Sequence, residues 1–258
     1  MRSNPFLIQR AAPSSSASLP PLFLIHDASG NILSYLKLGS LGKYRQTYGI
    51  YDPYSGTEGC SWQSVSEMAR HYVRLIKKVK LRGDIVLGGW SFGGIVALQM
   101  SHILATEGRG LNCVGIVLID TIYSPVDFSN GSGVDMAPPL AGINGQTRDQ
   151  IMVALVRAQC LCATWEPPTW SGKKVPPVVL IKAQDRIQVE KSQGSNNICR
   201  LDRFRNHRQL GWEMVQSGLI NKGVIDTPGN HYDIFEDEHV DATTQSLNRA
   251  LSKLDDRV

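Results

Sequence analysis

The stretch Asp84-Ile-Val-Leu-Gly-Gly-Trp-Ser91-Phe-Gly-Gly-Ile-Val-Ala-Leu98 limits the folds open to this chain more than any other. Ile85 to Leu87 is a short apolar run of the kind that forms a buried strand. From Gly94 to about Glu107 the apolar residues recur at helical spacing. Gly89-Trp-Ser91-Phe-Gly93 lies between the two. A strand that turns into a helix through a single residue puts that residue under backbone strain, and only small residues two before and two after it avoid a clash. In return, Ser91 Oγ is held out of the sheet above a helix N-terminus, whose positive dipole end favours developing negative charge. Alone, Gly-x-Ser-x-Gly also describes an ordinary glycine-rich turn. The strand before it and the helix after it make Ser91 a candidate nucleophile.

A serine hydroxyl is a poor nucleophile at neutral pH and needs a base. The six histidines are His26, His71, His102, His207, His231 and His239. His71 and His102 fall inside amphipathic helical patterns, His207 sits among arginines, and His239 opens the last helix. His231 stands in the turn Pro228-Gly-Asn-His231 after the last strand, where a loop can carry an imidazole over the serine. The base needs an acid behind it, and two aspartates end strands. Asp120 closes Gly115-Ile-Val-Leu-Ile-Asp120, and Asp185 closes Val178-Val-Leu-Ile-Lys-Ala-Gln-Asp185. Asp120 is favoured because its strand lies next to the nucleophile strand; Asp185 is the alternative acid, or else starts a turn or pairs with Arg186. Asp226 and Asp233 are weaker, the latter serving the turn beyond His231. The oxyanion donors expected are the backbone N–H of Phe92 and one from Asp27 or Ala28, in a turn that Gly30 allows to close. His26 could contact substrate, but packing is the safer reading.

The rest of the chain alternates apolar strands with helices, which implies a parallel sheet covered on both faces, with chemistry at the strand carboxyl ends. Strands are expected at Leu22–Ile25, Tyr48–Tyr51, Cys113–Ile119, Pro177–Ala183 and Val224–Thr227. Helices are expected at Ile32–Leu38, from a cap at Ser61 through Val79, and over His239–Leu254. Residues 1–20, with Pro13-Ser-Ser-Ser-Ala-Ser18, read as a linker or disordered lead-in, as if the chain were cut from a longer one. The core is then 21–124 and 171–258. Residues 125–170 interrupt the alternation as an insertion, Gly/Pro-rich and then helical. Its Ile151, Met152, Leu155 and Trp165 are candidate lid residues over an apolar substrate.

With 42% hydrophobic and 19% charged residues the chain is of ordinary globular composition, and a net charge of +4 is too mild to point to nucleic acid. Five cysteines, an odd number at irregular spacing, form neither a disulfide framework nor a zinc site, so no metal is expected. No apolar run reaches the ~18 residues of a membrane span. A reducing, cytoplasmic setting fits these features.

Several of these pieces carry a resemblance: Pro21-Leu-Phe-Leu-Ile-His-Asp-Ala-Ser-Gly30, Tyr48-Gly-Ile-Tyr-Asp-Pro53, Gly88-Gly-Trp-Ser-Phe-Gly-Gly94, Val117-Leu-Ile-Asp120 and Pro228-Gly-Asn-His-Tyr232. Together they resemble the thioesterase domains, of fungal type, that release products from polyketide synthases and non-ribosomal peptide synthetases, within the α/β-hydrolase fold. The serine motif is common to that whole superfamily; its combination with Leu-Ile-Asp120 and a helical lid is more specific. The resemblance implies an acyl-enzyme at Ser91 and no cofactor of the protein's own. The substrate would be presented on the phosphopantetheine of an acyl carrier protein or by upstream megasynthase domains, and released by hydrolysis or by Claisen or lactone cyclisation. In chain-terminating members the acid follows the nucleophile helix, which supports Asp120; in some stand-alone editing relatives it lies one strand later, at the place of Asp185. The Gly/Pro-rich first half of the lid departs from the common pattern. A serine esterase or lipase acting on soluble esters, and a non-catalytic hydrolase-like binding domain, are the competing readings.

Overall fold

Strands that are apolar along their whole length must be buried on both faces, and a mostly parallel sheet meets that demand. The computed structural model describes residues 3–11, 19–42, 45–55, 57, 61–108, 110–123, 144–189 and 198–256. Along the chain run β1 (Phe6–Gln9), β2 (Leu22–Ile25), α1 (Leu33–Leu36), β3 (Thr47–Ile50), α2 (Val65–Lys77), β4 (Gly83–Trp90) and α3 (Phe92–Glu107). Then come β5 (Leu111–Ile119), α4 (Gly145–Ala163), β6 (Val178–Ala183), β7 (Val224–Thr227) and α5 (Val240–Asp255). Among the described residues the strands form one seven-stranded sheet in the order β1-β3-β2-β4-β5-β6-β7. All neighbours are parallel except β1 against β3.

Alternate residues of each strand feed two cores. Phe23, Ile25, Ile85, Leu87, Ile116 and Leu118 pack under α2 and α3. Leu22, Leu24, Val86, Val117 and Ile119 pack on the other face with Leu247, Leu251 and Leu254 of α5 and Tyr35 of α1. Each such side chain contributes about 1.5–3 kcal/mol by leaving water. The helix α3 has buried residues nearly all round, so it lies within the layer rather than on the surface. α2 begins later than the sequence suggests. Its N-cap is Ser64, not Ser61: Ser64 Oγ accepts from the Glu67 amide at 3.1 Å, while the Glu67 carboxylate accepts from Gln63 N–H at 2.8 Å. Ser64-Val-Ser-Glu67 has the capping-box sequence, with Glu67 reaching one residue past the cap to Gln63; the Ser61 register would put Ser64 in the place of that glutamate.

Part of the expected lead-in belongs to the sheet. Phe6–Gln9 pairs antiparallel with β3 at its edge, and the Gln9 side chain donates to the carbonyls of Leu41 and Arg45. Four residues carry too little pattern to tell an edge strand from a tail. Residues 12–18, with most of the Pro/Ser tract, lie outside the described residues, as do 124–143, the Gly/Pro-rich half of the insertion. No helix among the described residues is long and apolar enough to cross a membrane. Cys113, Cys160, Cys162 and Cys199 are free thiols.

The strand order places the chemistry. From β2 the chain goes outward to β3, then returns to β4 on the opposite side, so the sheet reverses direction between β2 and β4. At such a switch point the connections leave to opposite sides and open a crevice at the strand carboxyl ends. Ile25 is in register with Gly89, Trp90 with Ile119, and Ile119 with Ile181. The turn after β2, Ser91, and Asp120 therefore emerge side by side.

Candidate active site

Ser91 connects β4 directly to α3 with φ 54° and ψ −120°, a conformation that L residues avoid. Its neighbours tolerate it because they are small. A Cβ on Gly89 would collide with the Gly93 backbone, and one on Gly93 with the carbonyl oxygens of Ile25 and His26 at the end of β2. Gly93→Ala should therefore cost about 3 kcal/mol, at the upper end for overpacking, because the obstacle is backbone and cannot swing aside. Denaturant unfolding reads this directly.

His231 Nε2 lies 3.0 Å from Ser91 Oγ, and His231 Nδ1 lies 2.8 Å from Asp120 Oδ2. The three residues, distant in sequence, form one connected line. His231 reaches the serine from a turn closed by Asp233, whose carboxylate accepts from the Asn230 amide at 2.7 Å. The His231 ring rests on Trp90, centroids 5.6 Å apart. Asp120 also has positive φ, 41°, and is held by its amide donating to Ile181 O at 2.7 Å. The carboxylate that meets the imidazole is Asp120, not Asp185. Asp185 Oδ2 accepts from the Gly229 amide at 3.1 Å, bracing the turn that carries His231, and Arg186 donates to Asn206 rather than to Asp185. Asp226 pairs with Arg208 on the surface at 2.7 Å.

Asp120 is fully buried and has a partner that sequence reasoning missed. Arg205 Nη1 and Nη2 lie 2.6 and 2.9 Å from its two carboxylate oxygens, and the Ala183 amide donates to Oδ1 at 2.9 Å. On its other side Arg205 Nε meets Asp202 Oδ1 at 3.1 Å, and Asp202 Oδ2 accepts from the Ile187 amide at 2.7 Å. Burial alone would raise the Asp120 pKa. The hydrogen bond with His231 and the Arg205 charge outweigh that and hold the carboxyl well below the usual range. Nothing in the sequence separates Arg205, 4% exposed, from the exposed Arg203 and Arg208 beside it.

The Arg205 contact has a consequence for pH. A carboxylate whose folded pKa is depressed gives stability that is complete above its unfolded pKa, about 3.9, and is lost as pH falls through the folded value. Melting midpoints of the wild type and of Asp120→Asn should therefore differ most near neutrality and begin to converge only below about pH 4, closing further as pH falls toward the depressed folded value.

The Phe92 amide, first of α3, is one of the N–H groups a helix leaves without an internal acceptor. Ala28 follows in the turn after β2. Asp27, in the same turn, has its carboxyl pushed above the ordinary range by burial, against the hydrogen bonds from Ser29. Ala28 and Phe92 both line a cavity of about 340 Å³. Its other walls are the loop carrying Asp52, Tyr54 and Trp62, and the side of α4 with Gln150, Ala154, Arg157, Ala158 and Leu161. Those α4 positions recur at helical spacing and form one face. Ile151, Met152, Leu155 and Trp165 are not among the lining residues: the greasiest side chains were the expected ones, but helix rotation selects a different face. Met152 is 38% exposed. Trp165 donates its indole N–H to Gln99 Oε1 at 2.9 Å and packs edge-on to Trp212, anchoring the end of α4 to the core.

Known proteins share this architecture and sequence. The family model described as thioesterase domain matches residues 20–148. The thioesterase AMT4 of Alternaria alternata is 33% identical over 98% of this chain and 93% of its own length. The thioesterase frbD of a Dothideomycetidae species is 34% identical over 91% of this chain and 90% of its own. Among solved structures, the NocB thioesterase domain, in covalent complex with a fluorophosphonate nocardicin G analogue, is 22% identical with a TM-score of 0.66, covering 91% of this chain and 96% of that one. The Vlm2 thioesterase domain bound with a dodecadepsipeptide is 18% identical with a TM-score of 0.63, covering 94% and 97%. A parallel sheet with a serine at its switch point, together with these two close fungal relatives, establishes that the chain belongs to the thioesterase family and has the α/β-hydrolase fold.

Proposed function

We propose that this thioesterase releases an acyl or polyketide chain from the phosphopantetheine thioester of an acyl carrier protein, through an acyl-enzyme on Ser91. The observation that carries the reading is the line Ser91 Oγ–His231 Nε2–Asp120, at 3.0 and 2.8 Å. Asp120 accepts from Nδ1–H, which leaves Nε2 free to take the serine proton. Ser91 Oγ attacks the thioester carbon while its proton passes to His231. The carbonyl oxygen gains the negative charge and rests on the amides of Phe92 and of Asp27 or Ala28. Collapse breaks the C–S bond, and the thiol leaves with the proton from His231. Water, deprotonated by the same imidazole, then attacks the ester carbon; the second tetrahedral intermediate collapses to free acid and restored Ser91. A nucleophile on the bound chain gives the cyclised product by the same steps.

The chemistry needs no cofactor of the protein's own. The cavity beside Phe92 and Ala28 supplies room for the acyl chain, and its size falls at the small end for ligand sites. Family membership supports a thioester over an oxygen ester. The test is a matched panel of acyl-pantetheine thioesters and oxygen esters. Higher kcat/KM on the thioesters is expected; a clear preference for the oxygen esters would contradict the proposal. The mass of the product distinguishes a gain of water from ring closure.

A further inference from the structure

We infer that Tyr72 and His26 form a positioning pair that aims the Ala28 amide at the oxyanion, an inference that rests on the reading of Ser91 as the acylated nucleophile. A buried run of contacts lies beneath the turn after β2. Tyr72, on α2, is fully buried, and its hydroxyl oxygen lies 2.6 Å from His26 Nε2. His26 is 2% exposed, and its Nδ1 lies 2.6 Å from the Asp27 carbonyl oxygen. A carbonyl oxygen only accepts, so Nδ1 carries the hydrogen; in the neutral ring Nε2 must then accept from the Tyr72 hydroxyl. Burial pushes the Tyr72 phenol well above its ordinary range, which keeps that hydroxyl protonated as a donor. For the neutral imidazole the tautomer and the direction of both hydrogen bonds follow from the geometry.

The peptide plane transmits the effect. In a trans peptide the C=O and the following N–H point in opposite directions. Holding the Asp27 oxygen against the imidazole therefore fixes the direction of the Ala28 N–H. The Gly30 amide donates to the same Asp27 oxygen at 3.1 Å, and the Ser29 amide to Asp27 Oδ1 at 3.1 Å. Neither contact uses the Ala28 N–H, which has no acceptor among the described residues. The same imidazole tilts against the Phe92 ring, centroids 6.1 Å apart. One buried histidine thus holds the peptide that carries the Ala28 amide and lies against the ring of Phe92, whose amide is the other donor. An apolar side chain of equal volume would pack this space without the cost of burying two polar nitrogens. What the imidazole adds is the orientation of one peptide.

The test uses the full chain with His26→Leu, His26→Asn and Tyr72→Phe, each normalised to sites titrated with a fluorophosphonate. Three quantities are read: kcat and KM on an acyl-pantetheine thioester, and Ki for a trifluoromethyl ketone. Ser91 Oγ adds to that ketone, its proton passes to His231, and the hemiketal oxygen carries the charge the amides must hold. His26→Leu should lower kcat about 10²-fold, near the loss of a whole oxyanion donor, and raise Ki in parallel with KM little changed. His26→Asn, whose amide nitrogen falls near the place of Nδ1, should recover much of both. Tyr72→Phe, which removes one oxygen, should lie between and decides the matter if His26→Leu does not fold. A fall in kcat with Ki unchanged per titrated site would overturn the inference, as would His26→Asn behaving no better than His26→Leu. Wild-type protein that never labels at Ser91 would instead remove the reading on which the inference rests.

Discussion

Ser91→Ala should abolish turnover, by on the order of 10⁶-fold, and leave the fold intact. The size of the effect follows from geometry: among the described residues the hydroxyl that meets His231 Nε2, with Asp120 behind the ring, is that of Ser91, at 3.0 Å. Removing one oxygen leaves no atom to form the covalent bond, and the remaining parts can only bind and polarise. Stability should change by no more than about 0.5 kcal/mol. Alanine fills the same strained φ of 54° as serine does, and the amide of residue 91 still donates to Ile119 O at 2.9 Å. Rates on an acyl thioester and melting curves, measured together, check both halves. A variant that melts normally yet turns over at near wild-type rate would remove Ser91 from the mechanism.

Asp120→Asn should cost about 10⁴-fold in kcat, far more than Asp185→Asn. An amide in place of the carboxylate can present an N–H to His231 Nδ1, which drives the ring to the tautomer with Nε2 protonated and unable to accept the serine proton. Here the substitution also strips the buried Arg205 of its bidentate anionic partner. Arg205 keeps Asp202 at 3.1 Å, so the cost should fall below the about 3–5 kcal/mol of a buried charge left with no partner. Asp185→Asn removes neither feature; among the described residues its carboxylate accepts from the amide of Gly229 at 3.1 Å, so its effect should pass through the placement of the His231 turn. Measuring kcat for both variants, with circular dichroism to separate unfolding from lost chemistry, ranks them. The reverse ranking would reassign the acid.

Much of the site was legible because its parts obey local rules. Gly89 and Gly93 follow from the sterics of a one-residue turn, and the strands from runs too apolar for one open face. His231 and Asp120 were legible only as candidates, because their meeting depends on strand order, which local pattern does not encode. Three features were not legible at all. Arg205 sits in an irregular basic segment where neighbouring arginines look the same. The cavity face of α4 depends on helix rotation, so Ala154, Ala158 and Leu161 line it while the larger Met152 faces water. The short edge strand Phe6–Gln9 has too few residues to show a period.

The measurement that bears most directly on this account is the intact mass of the protein, with the site mapped by peptide analysis, after brief mixing with an acyl-pantetheine thioester. A transient gain of one acyl group on Ser91 is expected, absent in Ser91→Ala and accumulating when the second step is slow. An acyl group carried elsewhere on the chain, or thioester cleavage by Ser91→Ala at the wild-type rate, would contradict it.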